Sequence, residues 1–349
     1  MTDTQIIAVD AMGGDVGPEV TVPGAAMALQ KHANLSFLLC GDRARIETEL
    51  AAWPALAERA EILHTDTQIA MDAKPSQAMR RGKGTSMWRA LEAVQNNEAT
   101  VAVSAGNTGA LMAVALLLLR PLQGIERPAL AGLWPTTARP CVVLDVGANV
   151  GATARQLADF ALMGAAMSRA VFGHERPRVG LLNVGTEELK GADEVREAHA
   201  ILKRVDLGAR YIGFIEGDRI GHDAADVVVV EGFAGNIALK TAEGTAKQVA
   251  VYLREAMTSS PAAKLGALLA RGGFAGLRER MDPRRLNGGT FLGLNGIAIK
   301  SHGGSDALGF ASAIDLAYEM ADSGLIDRLR SDLASAQQAQ DPAASNLPV

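Results

Sequence analysis

The sequence predicts an α/β fold, a three-layer α/β/α sandwich around a mostly parallel sheet. Three observations predict it. Short apolar or β-branched runs alternate with longer helical stretches through most of the 349 residues. Those short runs are apolar at nearly every position, the pattern of strands buried on both faces. Six of them end in small-residue, glycine-rich turns carrying one or two polar side chains. Parallel sheets place their ligands at such strand ends.

Residues 6–10 read as the first strand and lead into AMGGD; helical spacing follows at 20–31. Strands are expected at 35–40 and 61–63, then a helix at 85–96. The strand at 101–104 runs into AGNTG and a helix at 108–119. Its ten apolar residues, 110–119, are half of the roughly 20 that a membrane span requires, so it is a buried helix. A strand at 142–146 overlaps the turn DVGANVG, and a helix follows at 155–171. The strand at 179–183 leads into VGTEELKG and a helix at 193–203. Strands at 211–215 and 227–230 come next, the second opening into EGFAGN and a helix at 236–257. Residues 291–294 and 297–300 form a hairpin about Asn295-Gly296, a strong turn signal, and Lys300 leads into SHGGSD. Helices at 306–321 and 325–336 close a single domain, 1–336. The polar, proline-interrupted stretch 337–349 is expected to be a flexible tail.

Composition narrows the function. With 34 basic against 39 acidic side chains the net charge is −5, so no nucleic-acid partner is expected, since that needs a broad basic face. Two distant cysteines, Cys40 and Cys141, make no disulfide framework. The N-terminus lacks a basic and then apolar leader, so a cytoplasmic protein is expected. The six histidines show no ligand spacing, so no metal is expected. No GxGxxG, GxxxxGK[ST] or GxSxG is present, which removes the usual nucleotide loops and the serine elbow; no cofactor is expected.

What remains is an anion-binding cleft. Glycines at strand ends let backbone N–H groups approach a charge closely, and helix N-termini add a favourable dipole. For any one loop, ordinary turn and cap chemistry explains the residues as well; six such loops converging favour the cleft. Lys190, in a glycine-flanked polar loop, and Lys240, one turn after Asn236, are candidate cations, and His302 sits in the loop Ser301-His302-Gly303-Gly304-Ser305.

The succession AVDAMGGD, VSAGNTGALMA, RPALAG, LDVGANV, VGLLNVGTEELKG, EGFAGNIALKTAEG and KSHGGSD resembles the bacterial acyl-carrier-protein:phosphate acyltransferase family, from about residue 6 to about residue 321. The resemblance implies a fold related to phosphate acetyltransferases and to isocitrate and isopropylmalate dehydrogenases, and a homodimer. The implied reaction converts a fatty acyl thioester of acyl carrier protein plus inorganic phosphate into acyl phosphate, for phospholipid synthesis. It also implies a downstream glycerol-3-phosphate acyltransferase as partner. Gly151 and Ala234 depart from the family pattern. No acyl-enzyme nucleophile stands out, so direct attack of phosphate is expected. Under this reading Asp10, His302 and Lys190 are catalytic. Phosphate is expected at Gly13, Gly14, Ser104, Gly106, Asn107, Thr108, Asn183, Thr186, Asn236 and Lys240. Two other readings stand beside it: a metal- and NAD(P)-dependent hydroxy-acid dehydrogenase using Asp218, Asp223 and Asp226, and a non-catalytic membrane scaffold.

Residues 262–285 hold six basic and two acidic side chains, a net of +4. Leu265, Leu268 and Leu269 follow helical spacing, Gly272-Gly273 is expected to break the helix, and Phe274, Leu277 and Met281 continue the stripe. Two short amphipathic helices forming a projecting lip are expected, with Lys264, Leu265, Leu268, Leu269, Arg271, Phe274 and Arg278 touching anionic lipid or the acidic carrier protein. The alternative is a dimer-interface or core hairpin with a basic outer face.

Overall fold

The computed structural model describes residues 4–280, 282, 284 and 287–340. The chain opens with β1 (Gln5–Asp10), α1 (Pro18–Lys31), β2 (Leu35–Gly41), α2 (Arg43–Leu50), α3 (Pro54–Ala57) and β3 (Ala60–His64). Next come α4 (Pro75–Arg81), α5 (Ser86–Gln95), β4 (Val101–Ser104), α6 (Thr108–Leu119), β5 (Ala129–Trp134) and β6 (Cys141–Leu144). Then follow α7 (Ala154–Phe172), β7 (Arg178–Leu182), α8 (Asp193–Leu202), β8 (Arg210–Ile215) and β9 (Val227–Val229). A long α9 (Gly232–Thr258) leads into α10 (Pro261–Leu269) and α11 (Arg271–Arg280). The last elements are β10 (Gly289–Leu292), β11 (Ile297–Lys300), α12 (Ala307–Asp322) and α13 (Leu325–Gln340).

All eleven strands join one sheet in the order β3-β2-β1-β4-β11-β10-β5-β6-β9-β7-β8. Pairing is parallel except for β11–β10, β10–β5 and β5–β6. Those three reversals fix the direction of everything else. β1 to β5 and β11 run one way; β6 to β10 run the other. Residues alternate between two core layers, as a sheet covered on both faces requires. Ile7, Val9, Phe37, Leu39, Val101 and Val103 pack toward α1, α7 and α12. Ala8, Cys40, Ala102, Val143 and Ala298 pack toward α5 and α6. Phe37, Phe160, Phe291 and Phe310 are fully buried, each stabilising the fold by about 1.5–3 kcal/mol.

Local chemistry sets the helix ends. Asp42 accepts from Arg45 N at 3.0 Å to start α2. Thr153 and Gln156 form a reciprocal capping box at α7, satisfying two donors that the first turn leaves open. Gly173, at φ 67°, ends the same helix.

Several boundaries differ from the sequence expectation, each for a physical reason. β5 lies in an alanine- and glycine-containing run of modest strand propensity; pairing on both sides with β10 and β6 makes it a strand. α9 starts four residues early, because Glu231 accepts from Phe233 N and Ala234 N. The lip breaks at Ala270, between α10 and α11, and Gly272-Gly273 lie inside α11. α13 runs to Gln340, four residues into the stretch expected as a tail; 341–349 lie outside the described residues, as do Met281 and Arg285 and the side chains of Arg278, Glu279 and Arg280. Among the described residues no helix is long and apolar enough to cross a membrane.

Candidate active site

Strand direction divides the glycine-rich loops. Those after β1, β4 and β11 leave one edge of the sheet; those after β6, β7 and β9 leave the opposite edge. The six do not all converge at one set of strand ends.

At the first edge three loops press together. Asp10, 1 % exposed, accepts from Ser104 Oγ at 2.6 Å on Oδ2, and Ser104 Oγ accepts from Gly106 N at 3.0 Å. Asp10 Oδ1 is buried with no partner. Burial pushes this carboxyl above its usual range, against the Ser104 and Ser86 hydroxyls that favour its charge. Glycine is required where the loops meet: a Cβ on Gly13 would stand 2.7 Å from Asp10 Oδ2. Gly14, at φ 92°, faces the Gly303 carbonyl, which accepts from Asp15 N. Lys300 Nζ donates to Ala105 O at 3.3 Å and also to Ser301 O. Among the described residues the N–H groups of Gly14, Thr108, Gly109 and Gly303 meet no protein acceptor.

Asn107 is placed differently from its expected role. Its Oδ1 caps α6 by accepting from Ala110 N at 2.8 Å, and its Nδ2 donates to Met71 O at 2.6 Å. Asn287 and Lys300 were missing from the sequence expectation. Asn287 Nδ2 donates to Ser301 Oγ, Ser305 Oγ and Gly309 O, while its Oδ1 accepts from His302 N. It shapes the His302 loop. Only the Ser-rich composition of that loop hinted at such a donor; Lys300 was legible as the last residue of its strand.

At the opposite edge two carboxylates take the N–H groups of the turn after β6 and two of those at the start of α9, while Val184, Gly185 and Thr186 after β7 keep N–H groups with no acceptor among the described residues. Asp145 accepts from the N–H groups of Leu130, Gly147, Ala148 and Asn149 and from Asn149 Nδ2. Glu231 accepts from Phe233 N, Ala234 N and Gly151 N. Two carboxylates thus occupy the turn and the N-terminus of α9, where an incoming anion would meet like charge. Asn236 packs against Gly147. Asn183 Nδ2 donates to Lys190 O and closes its own loop; Thr186 and the Lys190 side chain are exposed. Asp223 and Asp226 are both held by Arg178, so two of the three carboxylates needed for a metal-dependent dehydrogenase are already paired.

α9 joins the two edges. Asn236, Lys240 and Glu243 share one helical face. Asn236 begins at the Gly147 turn, and Glu243 Oε1 lies 3.7 Å from His302 Nε2. His302 is exposed, over the first edge.

The mostly parallel α/β core with glycine-rich loops at its strand ends is a phosphotransacetylase type of fold. A phosphotransacetylase from Streptococcus pyogenes superposes with a TM-score of 0.62 at 18 % identity, covering 91 % of this chain and 94 % of its own. A family model described as fatty acid synthesis protein matches residues 6–328, and the chain belongs to that family. Phosphate acyltransferases from Agrobacterium fabrum and Afipia carboxidovorans are 57 % and 58 % identical to it, covering 94 % and 93 % of this chain and 93 % and 92 % of theirs.

Proposed function

We propose that the protein is a phosphate acyltransferase that moves a fatty acyl group from the thioester of acyl carrier protein to inorganic phosphate. The phosphate oxygen attacks the thioester carbonyl carbon, the C–S bond breaks, and the departing thiolate takes a proton, leaving acyl phosphate and a thiol. The observation that carries this placement is that Gly14, Thr108, Gly109 and Gly303, on the three loops that meet at the first edge, keep N–H groups with no acceptor among the described residues. Such donors hold a multiply charged anion with little reorganisation. At the opposite edge Asp145 and Glu231 occupy the turn after β6 and the start of α9, which makes that stretch less suited to a second anion than the loops after β1, β4 and β11. Of the residues expected to bind phosphate, those after β1 and β4 therefore remain, with Asn107 acting as a cap. Lys190, Asn183 and Thr186 drop out of the phosphate site, and Asn236 and Lys240 line the wall provided by α9.

His302, exposed and near Glu243, is positioned to protonate the leaving thiolate. Direct transfer is supported by the state of the two cysteines. Both are buried, and burial pushes the Cys141 thiol up to about 12 and Cys40 higher still, so neither is a competent nucleophile. Asp10, buried beneath Gly13, acts through its neighbours instead of touching substrate.

The lip carries a second part of the function. Leu265, Leu268 and Leu269 are 60, 60 and 80 % exposed on a basic segment, a composition suited to an anionic membrane surface or an acidic carrier protein. Such a peripheral position would pass acyl phosphate to a membrane glycerol-3-phosphate acyltransferase. The test is direct. Incubation with acyl carrier protein thioester and phosphate, with hydroxamate trapping, is expected to yield acyl hydroxamate only when phosphate is present; thioester cleavage independent of phosphate would overturn the assignment.

A further inference from the structure

Asp10, Ser104 and Lys300 are the last residues of β1, β4 and β11, and they are paired in register, Asp10 with Ser104 and Ser104 with Lys300. Residues paired across parallel strands point to one face, here the face of α5 and α6, like Ala8, Ala102 and Ala298 two positions earlier. The sheet therefore sets a carboxylate, a hydroxyl and an ammonium side by side at its first edge.

The ammonium is only partly satisfied. Two of its three donors go to Ala105 O and Ser301 O, and the third has no acceptor among the described residues. Ala105 O is also where the glycine loops approach: a Cβ built on Gly303 would lie 3.6 Å from it, and one on Gly14 3.9 Å. Lys300 Nζ thus binds the carbonyl that the backbones of Gly14 and Gly303 approach. The ionisable groups acting on it are Asp10, from β1, and Asp15, from the loop after β1; β4 and α5 contribute the neutral Ser104 and Ser86.

We propose that Lys300 is a phosphate-binding residue whose free N–H completes the cradle formed by the backbone of the first edge, with Asp10 as the positioning residue that keeps the ammonium charged. This rests on the placement of phosphate at that edge. Burial pushes the Lys300 ammonium down to about 8, so in the free enzyme its charge is lost just above neutrality. A bound phosphate dianion favours the charged form. Phosphate binding therefore weakens as pH rises through about 8, while the acyl donor, which has no use for the ammonium, is bound equally.

The experiment measures kcat/KM for inorganic phosphate and for the acyl thioester across this pH range in wild type, K300M, K300R and D10N. K300M removes a buried charge and is expected to fold. Losing a charge-assisted hydrogen bond should raise its KM for phosphate by about tenfold or more, leave the thioester KM unchanged, and abolish the alkaline fall. K300R should keep phosphate binding at high pH, because a guanidinium stays charged. D10N should move the alkaline fall to lower pH, which a merely structural carboxylate would not do. A K300M enzyme with wild-type phosphate KM and an intact alkaline fall overturns the proposal. If K300M has no effect but G303A raises the phosphate KM, Lys300 is excluded and the site stays. If neither acts and K190A does, phosphate binds at the opposite edge. Should K300M not fold, calorimetric titration of wild type with inorganic phosphate at about pH 6.5 and about pH 9.5 decides: a Kd weaker at the higher pH is expected, and an unchanged Kd overturns it.

Discussion

Gly13 has almost no spare room. A Cβ would stand 2.7 Å from Asp10 Oδ2 and 2.9 Å from Gly106 N, and neither can retreat without opening the loop. Gly13→Ala is expected to cost about 1–3 kcal/mol in a urea unfolding experiment, with activity falling further as the cradle shifts. Asn107→Ala loses the cap of α6 and is expected to cost about 1 kcal/mol, so its activity must be read beside its unfolding curve. Asp10 gives a pH signature. Its folded-state carboxyl is raised by burial, so in the window between 3.8 and the raised value the folded state holds a proton that the unfolded chain has already lost. Stability contributed by this group falls as pH rises from 3.8 through the raised value. Asp10→Asn, scanned by thermal melting, is expected to be as stable as wild type or more so above that window while losing activity. The first-edge glycines and serines were legible as clusters at strand ends, although turn and cap chemistry accounts for any one such loop. Asn287 was not, because its partners are 14 to 22 residues away and no local pattern announces a side chain that braces a distant loop.

α10 and α11 follow the amphipathic spacing that the leucines impose, yet the break between them falls at Ala270, before the glycine pair. Glycine weakens a helix by about 1 kcal/mol but does not end it; with Phe274 and Leu277 following, the pair is carried within α11. No residue of α10 is buried, and α9 buries only Gly232 and Gly235. Helical periodicity identified these segments but was silent on what their apolar faces meet. The proposed membrane contact makes a sharp prediction at this scale. Replacing Leu268 and Leu269 with Glu is expected to abolish cosedimentation with anionic vesicles while far-UV circular dichroism and acyl transfer from soluble carrier protein persist. Vesicle binding that survives the double replacement would return the lip to a packing role.

Alternation of strands and helices was enough to read an α/β sandwich, but it could not show that the sheet reverses direction midway. The reversal hinges on β5, whose small residues hide it, and on the antiparallel pairs on either side. It puts the β6, β7 and β9 loops at the strand ends opposite those of β1, β4 and β11, so the six glycine-rich loops do not share one set of strand ends, which alternation alone could not reveal. α9 then reconnects the edges and continues beyond the body, with Val249, Val251 and Tyr252 about half exposed. Together with the leucines of α10 they leave more large apolar side chains uncovered than a lone soluble chain usually presents. A two-fold partner is the simplest cover, since an isologous contact pairs the same patch with itself. Val249 and Tyr252 are three residues apart and share one face of α9, whereas Leu268 and Leu269 lie further along, on the lip. Light scattering at micromolar concentration is therefore expected to return twice the mass of the chain. Val249→Glu with Tyr252→Glu is expected to give monomers, while Leu268→Glu with Leu269→Glu keeps the dimer and loses only vesicle binding. A wild-type monomer with full activity would remove the dimer from the mechanism. If the lip pair dissociates the dimer and the α9 pair does not, the interface lies on the lip, and the membrane must be met elsewhere.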